Sequence, residues 1–204
     1  MDLSDEIRKC TKCIDIGLVA SDRLNTSRKP YVQFDVEGKW RPDKVKVLFI
    51  AESPPWNGKQ RYFYNQTVVE NRTNLQKEVR EYLGLKSLEE FRSEGYFLID
   101  AIKCRLNKSE KKSVPRRVLR TCANKFLHKE ITDLRPATIF ILGNSSKHAV
   151  EEFSEFQDLK KHEIRDDYDK NLLGYRVILC PYPGAQTRTC INEIKRSFSK
   201  ILPH

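Results

Sequence analysis

The chain has 204 residues, and its 38 Lys and Arg against 28 Asp and Glu leave a net charge of +10. No apolar stretch approaches the roughly 20 residues a membrane span needs, and the opening MDLSDEIRKC lacks the apolar region of a secretory leader. The expectation is a soluble, single cytoplasmic domain, 1–204, whose length and core composition do not suit a secreted disulfide scaffold and whose surplus cations suit a polyanionic partner.

The first landmark is a CxxC, Cys10 and Cys13. In a reducing compartment cysteines read as metal ligands or free thiols before they read as disulfides. A turn at Arg41-Pro42-Asp43 then leads into Lys46–Ala51 (KVLFIA), an apolar run of strand length. Asn71–Leu83 has helical spacing and ends at Gly84, a residue suited to the position just past a helix. Tyr96–Ile102 (YFLIDAI) is the second strand, after Gly95.

Pro115–Leu134 predicts a helix with Val118, Leu119, Cys122, Phe126 and Leu127 on one side and Pro at a tolerated first-turn position. Ala137–Leu142 (ATIFIL) is the third strand, ending at Gly143, and Ser145–Phe153 is a helix after it. Ser154–Asn171 is dense in charge and reads as a surface excursion. Arg176–Cys180 (RVILC) is the fourth strand, stopped by Pro181, and Cys190–Leu202 is a closing helix. Nearly continuous apolar strands alternating with helices predict an α/β fold of three layers, α/β/α, around a mostly parallel four-stranded sheet.

Sites in open sheets of this kind lie beyond the carboxyl ends of the strands. The residues there are Glu52-Ser53-Pro54-Pro55-Trp56, Asp100 with Lys103-Cys104-Arg105, Gly143-Asn144 and Pro181-Tyr182-Pro183-Gly184. Cys104 and Cys122 flank a cation-rich stretch. With the CxxC they form a four-thiolate set near positive charge, which points to a metal or cluster beside an anionic partner.

In order, CxxC, AESPP, IDAIKCR, a further Cys, RPATIFILG and PYPGAQTR resemble the iron–sulfur uracil-DNA glycosylases of the family-four type, from Cys10 to about Arg188. The resemblance implies a 4Fe-4S cluster on Cys10, Cys13, Cys104 and Cys122, with zinc as the alternative for the same ligands. It implies DNA containing a deaminated base as the partner, a monomer, and hydrolysis of the N-glycosidic bond to leave an abasic site. Glu52 falls on the carboxylate that handles water or sugar charge. Phe63 falls on the aromatic that stacks on the extruded base, with Tyr62 or Tyr64 as substitutes if the register slips, and Ser53 lies on the base-binding loop. Arg188, Lys103 and Arg105 are the implied phosphate contacts.

Two positions depart from that pattern. Asp100 stands where the family has an Asn that reads the uracil edge, and an ionised Asp only accepts hydrogen bonds. Reading uracil then requires a raised pKa or a neighbour that donates. Tyr182 stands where the family has a His that donates to the leaving base, and a phenol is never cationic. Uracil is the first expected substrate. A glycosylase for hypoxanthine or xanthine, and a glycosylase-like DNA-binding protein with weak or no activity, are the alternatives. A carboxylate nuclease would need a third acid beside Glu52 and Asp100, and none has the right context.

Overall fold

The computed structural model describes residues 3–12, 29–55, 62–65, 75–106, 114–184 and 190–202. The apolar runs become parallel strands: β1 (Val47–Ala51), β2 (Tyr96–Asp100), β3 (Thr138–Leu142) and, later in the chain, β5 (Tyr175–Cys180). Val47 lies level with Tyr96 on one side and Thr138 on the other, and Ile139 is level with Val177. Every residue of β1, β2 and β3 is buried, as strands covered on both faces require. Phe49 and Phe140 meet Phe198 on one face, with ring centroids 6.1 and 4.9 Å away. Leu48, Ile50, Ile139 and Ile141 point the other way by the two-residue period and are fully enclosed.

The sheet has five strands rather than four, in the order β2-β1-β3-β5-β4. The extra strand, β4 (Asp169–Leu172), runs antiparallel to β5, so the charged excursion is in part a sheet edge. Its sequence, DKNL, holds no apolar run, and none of its residues is fully buried. Leu173 and Gly174 join the pair, both at positive φ (47° and 91°), the backbone that two-residue hairpin loops favour.

Eight α-helices surround the sheet among the described residues. They are α1 (Leu3–Lys9), α2 (Pro30–Gln33), α3 (Leu75–Leu83), α4 (Leu88–Ser93), α5 (Arg116–Cys122), α6 (His128–Leu134), α7 (Asn144–Val150) and α8 (Ile191–Ser199). The long helix expected from Pro115 to Leu134 forms as α5 and α6 joined by a π-helical turn, Ala123–Leu127. Such wide turns admit one extra residue and recur at functional sites. α1 buries Ile7, and the Lys29 ammonium ties down its end by donating to the carbonyls of Arg8 and Cys10 (2.5 and 2.8 Å). Lys129 pairs with Glu6 at 2.8 Å, so the amino-terminal helix is anchored to α6. None of the helices described is long and apolar enough to cross a membrane.

Candidate active site

The order β2-β1-β3 reverses the winding direction between β1 and β3, and ligands of open α/β sheets bind beyond the carboxyl ends at such a point. Glu52 and Ser53 follow β1, Asp100 ends β2, Gly143 follows β3, and Pro181-Tyr182 follows β5. Backbone bonds fix these ends against one another. Ala101 N–H donates to the Ala51 carbonyl (2.7 Å), Ile102 N–H to Glu52 (3.0 Å), and Gly143 N–H to Cys180 (2.9 Å). The Ser53 hydroxyl donates to Glu52 Oε1 at 3.5 Å. An open cleft of about 430 Å³ lined by Trp40, Lys46, Arg92 and Gly95 lies at the opposite ends of the strands, away from these groups.

Asp100 is the electrostatic centre. Burial pushes its carboxyl up to about 7, opposed by Lys103 and Arg105 and helped by the negative charge of Glu130 and Glu52. Buried carboxyls raised toward neutrality at strand ends recur among working groups, and buried structural ion pairs shift carboxyls as well. Tyr182 stands 44% exposed at the mouth of the site. The protein packed around its ring, then Asp100 and Glu52, lift its phenol to about 12, so it is a neutral hydrogen-bond donor.

Two glycines set the place of that ring. A methyl group on Gly143 would stand 3.2 Å from the Tyr182 Cβ, and one on Gly184 2.8 Å from its Cε1. Gly143 also sits at φ 84°, where side chains are strained. The structure thus explains both glycines as the clasp of Tyr182, a role their positions after strands only hinted at. His128, His148 and His162 pair with Glu155, Glu151 and Asp158, and none follows a strand.

Three expected contacts are buried. Phe63 is 3% exposed, and its ring packs on Tyr64 and Phe91 (5.0 and 5.2 Å), so it forms part of the core. Tyr62 is the neighbour of Asp100 instead: burial, then the Asp100 charge, hold its phenol well above its usual range. Lys103 is 1% exposed and cannot meet a phosphate. Its ammonium pairs with the equally buried Glu130 at 2.5 Å and donates to the Asp100 carbonyl at 2.6 Å. Arg105 is also buried, within reach of the Asp100 charge rather than of solvent. Arg188 lies outside the described residues. Arg116 and Arg120 on α5 are exposed and line an open polar cleft with Asn144, next to the end of β3, although Arg120 is already paired with Glu152.

The cysteines are drawn together from distant parts of the chain. Cys10, Cys104 and Cys122 line one small cavity with Ile7 and Phe126, and Lys12 and Lys125 lie on it. The Lys103 N–H donates to Cys122 Sγ at 3.4 Å. Burial raises the Cys122 thiol to about 12, against the pull of that N–H and of the Lys103 charge. Cys13 lies outside the described residues, and no group of three or more Cys, His, Asp or Glu among those described stands as a ready ion site. In donor type the residues fit an anionic thiolate-bound centre, because three thiols share one cavity with an N–H donor and nearby cations. Cys180 and Cys190 stand apart, as a fully buried strand end and a buried residue before α8.

A search among curated proteins gives no match. The family comparison does: residues 38–203 match the uracil DNA glycosylase superfamily, and the chain belongs to that superfamily, whose members are glycosylase hydrolases acting on DNA.

Proposed function

We propose that the protein excises a deaminated base, uracil first, from DNA by hydrolysing the bond between the base and C1′ of the sugar. The observation that carries the reading is the grouping of Glu52, Asp100 and Tyr182 beyond the ends of β1, β2 and β5, at the switch point of a glycosylase-superfamily sheet. The extruded base lies with its ring N–H toward Asp100 and its O2 toward the Tyr182 hydroxyl. As the C1′–N bond breaks, its electron pair passes to the base and positive charge grows on the sugar, which the Glu52 carboxylate stabilises. Water attacks C1′ with Glu52 accepting its proton, and that proton then passes to the departing base, which leaves neutral and returns Glu52 to its carboxylate. An abasic sugar and the free base are the products.

Oligonucleotides containing uracil, hypoxanthine or xanthine, single- and double-stranded, test this directly. Alkali should cleave the uracil strands after incubation with the protein. No scission on any of them would leave the second reading, a DNA-binding protein on a glycosylase scaffold. The observation favouring that one is Tyr182, a neutral donor in place of a group able to carry positive charge.

We further propose a 4Fe-4S cluster on Cys10, Cys13, Cys104 and Cys122, in a protein acting as a monomer in the cytoplasm; the cavity that Cys10, Cys104 and Cys122 share supports the cluster. When bound, such a cluster ties segments that are far apart in sequence, and the lysines around it balance its charge. Protein purified without oxygen should be brown and contain iron and acid-labile sulfide in equal amounts, with both lost in Cys122→Ala. A colourless protein holding zinc would replace the cluster by the metal.

A further inference from the structure

Arg105 is the charged side chain in the site that the reaction above leaves unused. It is 9% exposed, and its Nε and Nη2 are shut off from solvent without a hydrogen-bond partner among the described residues. Buried donors are nearly always matched, and a guanidinium offers them in a rigid fork suited to a planar acceptor. The carboxylate acting on it is Asp100, which feels it in return, and the neutral Tyr62 phenol is a further neighbour. The guanidinium, in the segment that follows β2, therefore lies within electrostatic range of the carboxylate that ends that strand, with two donors uncommitted among the described residues.

The edge of uracil sets an N–H next to a carbonyl. An ionised Asp100 can accept from the N–H, but it faces the neighbouring oxygen with repulsion and nothing to donate. We propose that Arg105 completes the reading edge, its guanidinium donating to the exocyclic carbonyl oxygen while the Asp100 carboxylate accepts the adjacent ring N–H. The pair does in two residues what one amide would do in one. It selects bases with a lactam edge, which uracil, hypoxanthine and xanthine share. Cytosine would turn an amine toward the cation and a lone pair toward the carboxylate, and both contacts repel. The fixed positive charge also opposes the anion that forms on the leaving base, which the neutral phenol of Tyr182 cannot do.

The inference rests on the glycosylase reading, and the test separates the two. kcat/KM is measured on strands carrying uracil or 4-thiouracil, for the wild type, Arg105→Met and Arg105→Lys. 4-Thiouracil keeps the ring N–H and replaces the strong acceptor by a weak one. The expected result is a loss on the order of 10- to 100-fold on uracil in Arg105→Met, with a much smaller loss on 4-thiouracil. The ratio of ratios cancels the intrinsic difference between the two leaving groups. Arg105→Lys keeps the buried cation and serves if the Met variant does not fold; it should show the same pattern in smaller measure.

Equal losses on both bases, with a reduced salt dependence, would make Arg105 a phosphate contact and overturn the inference while leaving the glycosylase standing. Unchanged kinetics would overturn it as well. A wild type that releases no deaminated base would remove the glycosylase reading and this inference with it.

Discussion

Glu52→Gln should lower the single-turnover rate on a uracil strand by about 10²- to 10⁴-fold, the range that a positioned acid–base group contributes. The side chain follows β1 and is partly exposed, touching Ser53, so the substitution removes charge without opening the core. The thermal midpoint should therefore hold while the rate falls. A second effect separates Glu52 from a merely structural residue. Its negative charge is one of the influences that raise the Asp100 carboxyl toward 7. Without that charge Asp100 ionises at lower pH, and the residual activity should move its acid limb downward. Lys103, Arg105, Glu130, Tyr62 and Tyr182 also act on this part of the site and stay in place in the variant. A Glu52→Ala protein as fast as the wild type would end the assignment.

Lys103→Met should destabilise the fold by about 3–5 kcal/mol at pH 8, the cost of stranding one partner of a buried ion pair. Glu130 is the partner left behind, 2% exposed, with its carboxyl raised by burial to about 7 even beside Lys103. A carboxyl whose pKa is higher folded than unfolded takes up a proton on folding at mid pH. Its contribution is most favourable below its unfolded value of 4.5 and is lost as pH rises through about 7. The penalty in Lys103→Met should accordingly shrink toward pH 5, where Glu130 becomes neutral. Adding Glu130→Leu should recover most of the loss at pH 8, because two apolar side chains then replace the pair. Urea unfolding at the two pH values reads all three expectations. An equal loss at both would show that the charge on Glu130 is not what Lys103 offsets.

Much of the architecture was legible in the residues. Four apolar runs bounded by Pro and Gly declared the parallel strands, and strand ends declared where Glu52, Asp100 and Tyr182 would gather. The fifth strand was hidden because DKNL at a sheet edge needs neither alternation nor an apolar run. Lys103 was misread for a related reason. It sits in a basic stretch that looks solvated, and its partner Glu130 lies 27 residues on, across a turn whose π geometry no spacing rule predicts. The aromatic triplet Tyr62-Phe63-Tyr64 defeated reading in another way. Three consecutive rings carry no periodic signal, so which one faces Asp100 depends on tertiary packing alone.

The outer side of β2 carries one further consequence. The Tyr64 hydroxyl accepts from the Leu98 N–H (2.8 Å) and donates to the Leu98 carbonyl (2.9 Å), so a side chain occupies the place another strand would take. Exposed main-chain edges recruit foreign strands and start aggregation. At the opposite border β4 discourages this with charge, presenting Lys170 to solvent. Among the described residues, the border next to Asp100 is capped at Leu98 by the Tyr64 phenol. The cap on this strand edge thus comes from the same short aromatic segment that supplies a neighbour to Asp100.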